Sequence, residues 1–116
     1  MHLQIDEESR DGFTVLSPTG EIDVATSAAL KEAITSTIVA GGTHVVVNLL
    51  GVDFIDSTGL GVLIGGRRRA LAVNGSLSLV CNDDHTLKLF RLTGLDKVFT
   101  IYGTVDLATS DPAVAS

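Results

Sequence analysis

The sequence contains no tryptophan, one cysteine, two prolines and few aromatic residues, 4% in all. With Cys81 alone, neither an internal disulfide nor a multi-cysteine metal site can form. The shortage of aromatics means that a core must be built from Val, Leu, Ile and Ala, the usual material of helices packed on a sheet. Positive charge is scarce too: eight Lys and Arg stand against fourteen Asp and Glu, a net charge of −6. A surface so charged repels phosphate backbones, so nucleic acid is not an expected ligand. No apolar run approaches the roughly 18 to 20 residues that a membrane span needs. The segment Met1 to Glu8 lacks the basic and apolar regions of a secretory leader. These absences together lead us to expect a soluble, cytoplasmic protein without membrane insertion.

What is present is enough for one core. The chain has 116 residues, 45% of them hydrophobic and only 19% charged, with a mean hydropathy of +0.39. That composition is far from disordered chains, and the length suits one domain and not a two-domain enzyme. A strand is expected around Leu3 to Glu7, followed by a polar turn at Ser9-Arg10-Asp11-Gly12 and a second strand over Phe13 to Ser17. After Pro18-Thr19-Gly20, the capping residues of Asp23 to Ser27 precede Leu30, Ile34 and Ile38, which repeat at helical spacing up to Gly41-Gly42. Val45 to Leu50 is a continuous apolar run broken only by Asn48, the pattern of a central strand covered on both faces.

A second helix is expected from Asp56 or Ser57 to about Val73, with Leu60, Leu63, Ile64 and Leu71 as its inward stripe. Ser76 to Val80 reads as a buried strand, and Asp83 or Asp84 opens a third helix through Phe90. Val98 to Tyr102 reads as a last strand and Val105 to Ala108 as a helical turn. The expected domain covers residues 3–108, with Thr109 to Ser116 as a loose tail. Strands alternating with helices from residue 45 onward imply right-handed crossovers. The fold class is therefore α/β, with a mixed, mostly parallel sheet of four to five strands and helices packed on it.

The segment Asp53-Phe54-Ile55-Asp56-Ser57-Thr58-Gly59-Leu60-Gly61 carries the chemistry. A strand end passes here through a carboxylate and a hydroxyl into a glycine-rich helix start, where free N–H groups and the helix dipole stabilise negative charge. A phosphate on Ser57 would be tolerated. The simpler role of Asp56 or Ser57 is an N-cap worth about 1 kcal/mol. Yet Gly59, Gly61, Gly65 and Gly66 each cost roughly 1 kcal/mol relative to Ala in a helix, which calls for an offset such as close approach to the sheet or to a docking partner.

Other chemistries find less support. The Gly-x-Ser-x-Gly elbow is absent because residue 55 is Ile, and His2, His44 and His85 stand in no context that sets one beside Ser57, so no catalytic residue is assigned. No dinucleotide or phosphate-loop fingerprint is complete. Arg67-Arg68-Arg69 cannot share one helix face, since consecutive helical residues point about 100° apart. Asp23, Asp53 and Asp56 could collect a divalent cation, but capping and turn roles suit each better, and neither a metal nor a cofactor is expected. Cys81 reads as a buried strand-end residue.

Val45 to Leu49 leading into Asp53 to Gly61 resembles the signature of bacterial anti-sigma factor antagonists, the STAS domain proteins. Gly20-Glu21-Ile22-Asp23 and the block Leu92 to Tyr102 agree with it, in the right order, over residues 3–108. Asn48 departs from the family, which more often carries Asp there. The resemblance implies a regulator and not an enzyme. Its unphosphorylated form binds an anti-sigma factor that is also a serine kinase, and this frees the sigma factor. Phosphorylation of Ser57 then separates the pair, and a phosphoserine phosphatase resets it. Carried over, Ser57 is the phosphoacceptor, Asp23 and Asp56 flank it in the partner surface, and Thr58 with Gly59 shape the helix entry. The family also contains stressosome components and subunits of lipid-transport complexes, and the same helix terminus could serve a small-ligand or nucleotide sensor.

Overall fold

In chain order, the computed structural model, which describes residues 3–110, runs β1 (Gln4–Arg10), β2 (Phe13–Ile22), α1 (Ser27–Val39), β3 (His44–Asn48), β4 (Val52–Ile55) and α2 (Ser57–Ala72). It continues through β5 (Ser76–Val80), α3 (Asp84–Leu92), a 3-10 turn at Leu95–Lys97, β6 (Ile101–Tyr102) and α4 (Val105–Ala108). The strands form one sheet in the order β1-β2-β3-β5-β6, with β4 attached to β2. β1 and β2 are antiparallel, joined by a tight turn in which Asp11 and Gly12 both have positive φ, the geometry that suits Asp-Gly in a hairpin. The remaining pairings are parallel, as the helical crossovers between them require.

β2 is the organising strand, and it is twice as long as the sequence suggests. The expected stop at Pro18 does not occur because β2 pairs with β3 only over Thr14–Leu16 and with β4 only from Gly20 onward. Pro18 sits between the two pairings, where a missing N–H costs no ladder bond on that side. At Gly20, which has φ 118°, the register against β4 shifts, and this bulge turns the end of β2 toward β4. Among the described residues the sheet has six strands, and β4 is the one beyond the expected four to five.

Two apolar layers sandwich the sheet. On one face Leu16, Ile22, Val45, Val47, Leu77 and Leu79 meet Leu30 and Ile34 of α1, Leu60, Leu63 and Ala70 of α2, and Phe90 of α3. On the other, Phe13, Val15, Val46 and Val80 are covered by Ala108 of α4. The consecutive burial of Val45, Val46 and Val47 is the central-strand pattern expected of β3. α4 is also tied to the hairpin by an ion pair between Arg10 and Asp106.

Several boundaries move. β1 extends to Arg10, since the turn needs only Asp11 and Gly12. In α2 the inward stripe is Leu60, Leu63 and Ala70, while Ile64 is half-buried and Leu71 is exposed. β6 is confined to Ile101–Tyr102 because Leu95–Lys97 winds into a 3-10 turn after Gly94, whose φ is +75°. Thr109, expected to begin the loose tail, is buried, and its hydroxyl donates to the Val105 carbonyl at 2.9 Å. Residues 111–116 lie outside the described residues.

Candidate functional site

Parallel β2 and β4 end side by side, with Ile22 paired to Ile55, and the Asp56 N–H donates to the Ile22 carbonyl at 3.1 Å. This bond brings the loop after β2, which carries Asp23, against the start of α2. Asp56 has extended backbone and its Oδ1 accepts from the Gly59 N–H at 3.0 Å, so it is the N-cap. Ser57 is the first helical residue. Both Ser57 and Thr58 are exposed, and their N–H groups are among those a helix start leaves without an intrahelical acceptor. The first turn of α2 contains no acidic residue, so the positive end of the dipole is not offset by a carboxylate within the helix.

Gly59 is there for space. A Cβ on it would come within 2.7 Å of both Ile22 Cγ2 and Ile55 Cγ1, so only glycine lets α2 start this close to the ends of β2 and β4. Gly66 is crowded in the same way by Ile34 and Leu77, each 3.0 Å from a built Cβ. Gly61 has nothing within 4 Å, and Gly65 only the flexible end of Arg69. Close approach to the protein's own core therefore accounts for two of the four α2 glycines and leaves Gly61 and Gly65 without such a reason.

Asp23 is committed to its own turn. Its Oδ1 accepts from the N–H groups of Ala25 at 2.9 Å and Thr26 at 3.1 Å. Its N–H donates to Thr26 Oγ1, which in turn donates to the Glu21 carbonyl at 2.7 Å. The N-cap of α1 is Thr26 and not Asp23. Among the described residues, the side-chain bonds of Asp23 all involve Oδ1, with Oδ2 as the other acceptor of the carboxylate. Asp23, Asp56, Ser57, Thr58 and Gly59 are thus gathered at one end of the sheet.

Two exposed apolar residues join them that the sequence reading does not single out. Val24 is 76% exposed and Phe54 50%. A signal was available for Phe54: in a strand with one buried face, the adjacent Phe54 and Ile55 cannot both point inward.

The rival constellations are not assembled. His44 begins β3, at the opposite end of the sheet from Ser57, with its Nδ1 3.0 Å from Ser76 Oγ, and His85 is exposed on α3. His2 lies outside the described residues. Among the described residues no group of three or more His, Cys, Asp or Glu side chains is arranged to hold a metal, and no helix is long and apolar enough to cross a membrane. Cys81 is buried just beyond β5, and burial pushes its thiol pKa up, away from the reactive thiolate. A crevice of about 560 Å³ opens not at α2 but between the ends of β3 and β5. Its lining includes Asp53, Asp83 and Asp84, which repel a phosphate. Asn48, at the family's usual Asp position, donates to Ser17 Oγ and accepts from the Leu50 N–H, both at 3.1 Å, and so closes the turn between β3 and β4.

The family model of the STAS domain matches residues 4–108. The chain belongs to the STAS domain family. Among curated proteins, it is 35% identical over 95 residues to the anti-sigma-F factor antagonist RsfB of Mycobacterium tuberculosis, covering 82% of this chain and 77% of that one. Among solved structures, an anti-sigma factor antagonist from Mycobacterium paratuberculosis superposes with a TM-score of 0.87 at 33% identity, covering 98% of this chain and 95% of that one. The Bacillus cell fate determinant SpoIIAA, solved in its phosphorylated form, is similar at TM-score 0.69 and 25% identity, covering 91% and 95%. The β2–β4 junction and the start of α2 fall wholly within the matched STAS span.

Proposed function

We propose that this STAS domain is an anti-sigma factor antagonist whose grip on its partner is switched off by phosphorylation of Ser57. The observation that carries the reading is the exposed hydroxyl of Ser57 at the first position of α2, with no acidic residue in that turn, in a chain that resembles named antagonists over most of its length. A phosphate adds a charge of about −1.5 to −2. The helix terminus receives that charge without damage to the fold, whereas a packed protein interface loses desolvation energy and fit. Binding is therefore lost and folding is kept.

In this scheme the unphosphorylated form takes the anti-sigma factor out of circulation and frees the sigma factor. The same anti-sigma factor acts as the serine kinase, and a phosphoserine phosphatase restores the binding form. Asp56 holds the backbone of the helix entry, Gly59 seats it on the sheet, and Thr58 together with Asp23 borders the contact. No catalytic side chain of this chain is needed, because the kinase and the phosphatase supply the chemistry. That a similar domain, SpoIIAA, was solved in a phosphorylated form supports the reading.

The test is direct. When the purified chain is incubated with ATP and an anti-sigma factor kinase that binds it, mass spectrometry should find one phosphate, on Ser57, and none in Ser57→Ala. A phosphate found mainly on Thr58, or incorporation that persists in Ser57→Ala, rejects the assignment.

A further inference from the structure

We propose that Phe54, together with Val24 on the adjoining loop, is the apolar anchor by which the anti-sigma factor grips this domain, and that the partner offers an apolar socket bordered by cationic side chains. The inference rests on the antagonist reading and names the energetic centre of its interface. Phe54 is half exposed, while Phe13, Phe90 and Phe99 are 3% exposed or less. In a chain so poor in aromatics, one ring has been kept out of the core.

The pairing of β2 with β4 explains how. Ile22 and Ile55 are partners and both are buried, so their neighbours Glu21 and Phe54, also partners, stand on the opposite face of the ribbon. Cross-strand partners on one face lie within contact range, which sets the ring beside a carboxylate. Val24 lies in the turn after Ile22, whose carbonyl the Asp56 N–H holds against the start of α2. Three residues beyond Phe54 stands Ser57. Exposed apolar groups with a polar rim mark interaction surfaces, and a buried aromatic near the centre commonly dominates binding energy.

Charge selects the occupant. Glu21, the cross-strand partner of Phe54, is exposed, and among the described residues it is in no ion pair. A second copy of this chain, with net charge −6, would bring carboxylates against carboxylates. A partner with cations around an apolar socket is complementary, and its steering effect falls in the association rate.

The experiment uses a purified anti-sigma factor that binds the wild-type chain, with Phe54→Thr and Ser57→Glu measured side by side by calorimetry. Thr is a good strand former, so the half-exposed site should tolerate it. Phe54→Thr should weaken binding by about tenfold or more, and a loss smaller than about fivefold overturns the inference. If Ser57→Glu abolishes binding while Phe54→Thr does not change it, the anchor fails and the antagonist reading stands; if no anti-sigma factor binds the wild type, the reading itself fails. Should Phe54→Thr not fold, hydrogen exchange on the wild-type complex decides, since an anchor requires the Val52–Ile55 amides to gain protection on binding. Glu21→Gln should weaken the salt dependence of association; an unchanged dependence removes the cationic border. Sedimentation that shows Phe54 closing a dimer of this chain, with partner affinity unaltered in Phe54→Thr, also overturns it.

Discussion

Helices α2 and α3 both begin just past a parallel strand, and both are opened by an aspartate: Asp56 Oδ1 accepts from the Gly59 N–H at 3.0 Å, and Asp83 Oδ2 from the Thr86 N–H at 2.9 Å. Beyond the cap they diverge. α3 has Asp84 in its first turn, and the Thr86 hydroxyl donates to Asp83 at 2.9 Å, so its terminus already carries its negative charge and is closed by side chains. α2 has a hydroxyl in place of that carboxylate and a buried glycine in place of the threonine. The same terminus is thus built once as a finished cap and once with room for a charge that arrives later. A helix dipole alone does not make a regulatory site. What sets α2 apart is the combination of an uncharged first position, a tight seat on the sheet and the exposed apolar residues Val24 and Phe54 next to it.

The largest effect should come from giving α2 the charge that α3 already has. Ser57→Glu should keep the fold, with a thermal midpoint near that of the wild type, because a carboxylate at a helix start is favourable by about 0.3–1 kcal/mol. Anti-sigma factor affinity should nevertheless fall by about a hundredfold or more, as for a charge left unpaired in an interface. If the variant is grossly destabilised, the comparison breaks, since the α2 terminus would then be no readier for charge than any other surface.

Much of this contrast could be read from the sequence, and the reasons for the remainder are local. Helix α2 and its cap stand out because Asp56-Ser57-Thr58-Gly59 combines capping chemistry with glycine where helices avoid it. β3 and β5 stand out because strands covered on both faces leave unbroken apolar runs. β4 does not: it has four residues, of which only Ile55 is buried, too few for a period to be counted. The length of β2 is hidden by Pro18, whose usual meaning is reversed by a gap in the pairing that no local pattern records. For Asp23 the sequence offers a capping or turn role without its partners, because Ala25 and Thr26 only define that turn once β2 has ended at Ile22.

A smaller effect separates two glycines of α2. Gly59→Ala should destabilise the domain by about 1–3 kcal/mol, as overpacking does, because its Cβ would press on Ile22 and Ile55 at 2.7 Å. Gly61→Ala meets open space and should stabilise the helix by up to about 1 kcal/mol. If the partner approaches the backbone at Gly61, the same substitution weakens binding while it raises stability. Denaturant titration and calorimetry on both variants read the two effects separately, and equal stability losses at the two positions would contradict the packing.

Asp23→Ala tests whether the neighbouring turn belongs to the fold or to the contact. Loss of the bonds to Ala25 and Thr26 should cost about 1 kcal/mol, as for other side-chain caps of backbone N–H groups. If Oδ2 also receives a donor from the anti-sigma factor, affinity falls in the folded fraction as well. Unchanged affinity with lowered stability would confine Asp23 to its turn.

The smallest effect belongs to the finished cap. The carboxyl of Asp83 is held below its ordinary pKa of 3.8, first by the Thr86 N–H and then by the Thr86 hydroxyl. A carboxyl whose pKa is lower in the folded than in the unfolded chain binds its proton less readily when folded, so its contribution to stability is complete above about 3.8. That contribution is lost as the pH falls through the lower, folded value. Asp83→Asn keeps an acceptor for Thr86 but removes the titration. The wild type and the variant should therefore differ in stability at neutral pH and converge as the pH falls below 3.8. Because Asp83 is exposed, the difference is small and should shrink with added salt. Urea midpoints measured from neutral to acid pH give the answer. If the gap between the two proteins persists unchanged below that pKa, the charge of Asp83 is not what closes the α3 terminus, and the contrast with α2 would rest on Asp84 alone.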